Sequence, residues 1–84
     1  ILDVRTPQEY PAGHIPGSVN IPHGELSRRL SELGISKSEE MVVYCESGRR
    51  ASLAERVLTE SGYTGIVDLD GHMRSWRRSK FPTE

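Results

Sequence analysis

The 84-residue chain predicts an α/β fold with three layers, α/β/α, around a central, mainly parallel sheet. Two observations carry that expectation. Short apolar runs alternate with segments of helical periodicity, the pattern of strands whose connecting helices cover both faces of a parallel sheet. The stretch from Met41 to Leu58 shows the unit in miniature: Met-Val-Val-Tyr-Cys reads as a buried strand, Glu-Ser-Gly-Arg-Arg as a tight loop, and Ala51, Ala54, Val57 and Leu58 recur at helical spacing. Nothing divides the sequence into halves, so residues 1–84 are read as one domain, near the lower limit for a self-sufficient core.

In order, Ile1 to Val4 is a short strand interrupted by Asp3, and Thr6-Pro7-Gln8-Glu9 offers a cap followed by proline at the first position of a short helix. Pro11 to Pro22, with three prolines and two glycines, predicts an ordered surface loop holding a minimal strand at Ser18 to Ile21. Leu26, Leu30 and Leu33 stand four and three apart, which predicts an amphipathic helix between Gly24 and Gly34 whose stripe faces the core. Ile35 to Glu40 is a polar connection. After the helix that follows the loop, Ser61-Gly62 is a stop, Ile66 to Leu69 a final strand, and Asp70-Gly71 a turn into a short helix carrying Met73 and Trp76.

Cys45, the only cysteine, falls where the central strand ends. There the loop amides and the next helix N-terminus can converge on its sulfur, a setting that holds an anion and favours a thiolate. A lone cysteine at a buried strand end is otherwise an inert small hydrophobe. Gly48, Arg49 and Arg50 argue against the inert role: glycine lets the backbone curl with positive φ, and two arginines opening a helix work against its dipole unless an anion sits there. His14, His23 and His72 read as hydrogen-bonded structural residues, since a base role needs reach to the reacting proton.

The run Cys45-Glu46-Ser47-Gly48-Arg49-Arg50-Ala51 resembles the active-site loop of rhodanese-like sulfurtransferases, a six-residue cradle opening with the cysteine and closing at Arg50. Leu2-Asp3-Val4-Arg5-Thr6-Pro7-Gln8-Glu9-Tyr10 with Gly13 to Pro22 is similar to that family's N-terminal signature. Leu69-Asp70-Gly71-His72-Met73 with Trp76 is similar to its C-terminal one. The resemblance implies a rhodanese-like fold in a compact single-domain form, with Cys45 as nucleophile. It implies substrate contacts from Glu46, Ser47, Gly48, Arg49 and Arg50, and support from Asp3, Arg5 and Ala51. Asp3 would brace the loop from below; for Arg5, bracing and a local ion pair with Glu9 stay open.

Such a cradle would take sulfane sulfur from thiosulfate or a persulfide as a Cys45 persulfide and yield it to cyanide, a thiol or a protein acceptor, with no cofactor. Glu46 would work against dianionic donors. Two rivals stand beside this reading. A dual-specificity-type phosphatase shares the fold, but its arginine falls six positions after the cysteine, where this chain has Ala51. A non-catalytic partner-binding or sulfur-relay module is the other.

Composition narrows the classes further. One cysteine and three scattered histidines predict no metal site. A net charge of -1 gives no field for nucleic acid, and no apolar run approaches membrane-span length. The basic segment Arg74, Arg77, Arg78 and Lys80 reads as solvated cations near a helix C-terminus, with an acidic partner protein as the other option. The expectation is a soluble protein without nucleic-acid or membrane partners. Because the chain starts at Ile1, it is read as trimmed, processed or lacking its first residues, and the compartment is left open, with a lean to cytoplasmic and a processed periplasmic form as the alternative.

Overall fold

The computed structural model describes residues 1–84. Four parallel strands form one sheet: β1 (Leu2–Asp3), β2 (Val19–Asn20), β3 (Glu40–Tyr44) and β4 (Gly65–Asp68), in the order β2-β1-β3-β4. In register, Leu2 lies opposite Val19 and Val43, and Met41 opposite Ile66. Every pair is parallel because each return passes through a crossover, as the alternating pattern predicted.

The two faces are covered unequally. Against one lie α1 (Arg49–Glu60) and the Leu26 segment, enclosing Leu2, Val4, Ile21, Met41, Val43, Ala51, Ala54, Leu58 and Tyr63. Against the other lies α2 (His72–Arg78), where Met73 packs with Ile15 and Tyr44, flanked by Leu69 and Trp76. Burial pushes the Tyr44 hydroxyl up to about 12, so it stays protonated, where it accepts the Ile15 amide at 3.1 Å and meets Ser18 Oγ at 3.2 Å.

Two predicted helices are corrected. Thr6 and Glu9 cap one another, Glu9 Oε1 accepting the Thr6 amide at 3.0 Å and Thr6 Oγ1 the Glu9 amide at 3.2 Å, yet only turns follow. Pro11 disfavours helical geometry at Tyr10, so the turn cannot propagate. The helix expected from Gly24 to Gly34 is instead two 3-10 segments, His23–Arg28 and Leu30–Leu33. Arg29 breaks it at φ -118, where its guanidinium bonds Glu25 and Glu32, while Gly34 closes the second segment at φ 66.

The chain turns to β2 on one side of β1 and to β3 on the other. The carboxyl ends of β1 and β3 therefore form the crevice where open α/β sheets place their ligands. Asp3 and Arg5 leave one strand there and Cys45 the other.

Leu58→Ala, at a fully buried position, should lower unfolding free energy by about 2–5 kcal/mol. Leu53→Ala, half exposed on the same helix, should stay within about 0.5 kcal/mol of the parent; both are read from urea midpoints.

Candidate active site

Cys45 ends the central strand with 1% of its surface exposed, and the chain then reverses within three residues to begin α1 at Arg49. Gly48 makes that reversal at φ 120, a conformation closed to most residues carrying a Cβ. Its N–H donates to Cys45 Sγ at 3.0 Å. The amides of Glu46, Ser47, Arg49, Arg50 and Ala51 have no protein acceptor, because they belong to the loop and the first helical turn.

The loop carbonyls are tied back. Met73 N–H donates to the Cys45 carbonyl and Arg74 N–H to that of Glu46, each at 3.0 Å, so the first turn of α2 holds the outer side of the loop. His72, at the start of α2, accepts the Cys45 amide on Nδ1 at 3.2 Å. Its ring also lies against Gly48, where an added Cβ would stand 3.0 Å from Nε2. Sequence reasoning assigned His72 only a structural place, and no spacing signal connects it with a cysteine 27 residues earlier.

Beneath the loop, Asp3 and Arg5 form a buried pair. Arg5 Nη2 donates to Asp3 Oδ2 and to the Gly13 carbonyl, both at 2.8 Å. Arg5 Nη1 lies 3.8 Å from Glu46 Oε1, and the guanidinium stands over the Tyr44 ring. Burial works against the Arg5 charge, but the Asp3 carboxylate outweighs it and holds the guanidinium above its usual value. The ion pair of Arg5 with Glu9, left open from sequence, does not form.

Glu9 instead pairs with Arg50, whose Nη1 and Nη2 bond its two carboxylate oxygens at 2.5 and 3.0 Å. That contact above all holds the Glu9 carboxyl down to about 2. Glu46 is bonded by Arg77 of α2, so Arg77 is not the solvated cation expected, and much of the Glu46 charge is matched. Arg49 and Ser47 are exposed and bond to no neighbouring side chain, while Ala51 is fully buried under the loop. The sequence-predicted residues thus gather at one place, but only Arg49 of the two loop arginines is uncommitted. His14 stacks on Tyr10 and bonds its carbonyl through Nδ1, away from the cysteine.

One further concavity, lined by Ile1, Leu2, Val19, Leu33, Ile35, Glu40 and Met41, lies at the opposite ends of the strands. It is lined by apolar side chains and one carboxylate and holds no nucleophilic side chain.

Residues 1–79 match the family model described as a rhodanese-like domain. The chain is 36% identical over 70 residues to the thiosulfate sulfurtransferase PspE of Escherichia coli, covering 83% of this chain and 67% of that protein. It is 41% identical over 76 residues to YrkF of Bacillus subtilis, named as a candidate sulfur carrier, over 90% of this chain but only 40% of that longer protein. A rhodanese-related protein from Thermoplasma volcanium superposes with a TM-score of 0.86 at 34% identity, over 99% of this chain and 80% of the other. These names support a sulfurtransferase or sulfur-relay role in general terms.

The Glu9–Arg50 pair sets a pH dependence. Because the folded Glu9 value lies below the ordinary 4.5, its stabilisation is present above about pH 4.5 and is lost as pH falls toward 2. In urea titrations at neutral pH, Glu9→Gln should be less stable than the parent by about 1 kcal/mol or less, as the pair is partly exposed, and the gap should close in acid.

Proposed function

Because this chain belongs to the rhodanese-like domain family, we propose that it is a sulfurtransferase working through a persulfide on Cys45. One observation carries the reading: the Cys45 sulfur already receives one amide, from Gly48, within a loop whose remaining amides are unsatisfied at a helix N-terminus. Such a site stabilises negative charge on sulfur with donors that need no rearrangement during the reaction.

In the first half-reaction the Cys45 thiolate attacks the outer sulfur of thiosulfate. The sulfur–sulfur bond of the donor breaks, and sulfite leaves with the electron pair. A new sulfur–sulfur bond remains on Cys45, its terminal sulfur negatively charged. In the second, cyanide or a thiolate attacks that terminal sulfur and carries it off, returning the electron pair to Cys45 as thiolate. The enzyme carries the sulfur between two steps, as covalent catalysis requires. The loop amides face the thiolate first and the persulfide afterwards.

Arg49 is the residue suited to hold the sulfonate end of the donor, by charge-assisted hydrogen bonds. Arg50 also lines the cradle, but Glu9 holds it in place, so its part is to fix the loop's closing turn. Pairing with Arg77 weakens the repulsion that Glu46 would direct at a dianion. Asp3 supports the loop through Arg5, and Ala51 supports it by packing. A burial of 99% for Cys45 favours transfer of a single terminal sulfur over attack on a bulky phosphate ester.

The protein mixed with thiosulfate and cyanide should release thiocyanate, and Cys45→Ser should abolish that release while leaving the fold intact. Arg49→Ala should raise the thiosulfate KM several-fold with kcat roughly unchanged, the signature of lost uniform binding. Turnover of para-nitrophenyl phosphate in place of thiocyanate formation, lost in Cys45→Ser, would assign a phosphatase instead.

A further inference from the structure

The backbone of His72 is at φ 55, in the left-handed region that residues with a Cβ rarely enter, directly after Gly71 at φ 75. Glycine would adopt this turn without strain. A histidine held there is buried to 6% exposure, with both ring nitrogens engaged. Nδ1 accepts the Cys45 amide at 3.2 Å, and Nε2 lies 3.3 Å from Asp68 Oδ2 at the end of β4. The ring edge at Nε2 also walls the space over Gly48, the residue whose amide reaches the cysteine sulfur. An observed backbone outlier with this much around it points to work done by its side chain.

We propose that His72, as the neutral tautomer protonated at Nε2, is a positioning residue that sets the reactivity of Cys45 by holding the Cys45 amide and the Gly48 backbone in register. It does not touch the sulfur. An imidazole nitrogen can accept the Cys45 N–H only while it carries no proton, so the tautomer follows from the contact itself. Asp68 favours a proton on the facing Nε2. Loss of the ring would leave the Cys45 amide without an acceptor and remove the wall beside Gly48, two faults at the residues that aim and stabilise the sulfur.

The inference deepens the sulfur-transfer reading and rests on it for its kinetic arm, but alkylation of Cys45 by iodoacetamide tests it without any sulfur chemistry. His72→Gly relieves the strained backbone and removes the ring. It should slow alkylation and lower kcat by about tenfold each, with thiosulfate KM within about twofold of the parent. His72→Asn tolerates the same backbone region and offers a side-chain oxygen to the Cys45 amide, so it should recover most of both rates. Nitrogen-15 spectra of the unaltered protein should report the Nε2-protonated tautomer, a measurement that needs no variant to fold. A His72→Gly protein that reacts like the parent, an asparagine variant as slow as the glycine one, or a ring protonated at Nδ1 would overturn the proposal. If the parent forms no thiocyanate, the sulfur-transfer reading fails while the alkylation comparison still decides the place of His72.

Discussion

The peptide groups that follow Cys45 and Glu46 are held facing one way, and the site depends on that constraint. Each amide plane carries a donor and an acceptor on opposite edges, so fixing the carbonyls fixes the amides. Met73 and Arg74 take the carbonyls of Cys45 and Glu46, which turns the Glu46 and Ser47 amides to the opposite edge, while the Gly48 amide meets the sulfur directly. The C-terminal helix is therefore part of the cradle although none of its residues lies in the loop. Its position follows from Met73 packing on Tyr44 and Ile15, which couples the less covered face of the sheet to the geometry around Cys45.

Charge around the loop is distributed so that, of the loop's own two arginines, Arg49 is left unpaired. Asp3 holds Arg5, Arg5 and Arg77 face Glu46, and Glu9 holds Arg50. The buried Asp3–Arg5 pair fixes geometry more than it adds net stability, because desolvation offsets much of its attraction, and the partly exposed pairs add little net stability either. Their consequence is specificity of position: the loop keeps its shape without spending Arg49, which stays at the surface beside the helix N-terminus where an incoming anion would arrive. The same pairs shield the carboxylates that would otherwise oppose a negatively charged donor.

The sheet, the loop and α1 were legible because local rules and tertiary packing agree there. Met41 to Tyr44 is an unbroken apolar run that forms a largely buried strand, and Ala51, Ala54 and Leu58 share a face that really is core. The segment around Leu26 misled for a physical reason, since leucines four and three apart suit a continuous helix or two short 3-10 turns, and the break at Arg29 leaves no mark in that pattern. At the site, the residues of the loop could be read as a group because they adjoin in sequence. The exchange of partners that gives Glu9 to Arg50 spans 41 positions, and the contact between His72 and Cys45 spans 27, so neither leaves a local mark.

All of this bears on one claim, that the sulfur of Cys45 is where transferred sulfur resides. Intact-mass measurement of the purified protein after incubation with thiosulfate addresses it directly. The account predicts a gain of one sulfur atom on Cys45, removed by cyanide and never formed in Cys45→Ser. An unchanged mass in the parent, or an equal gain in the serine variant, would contradict it.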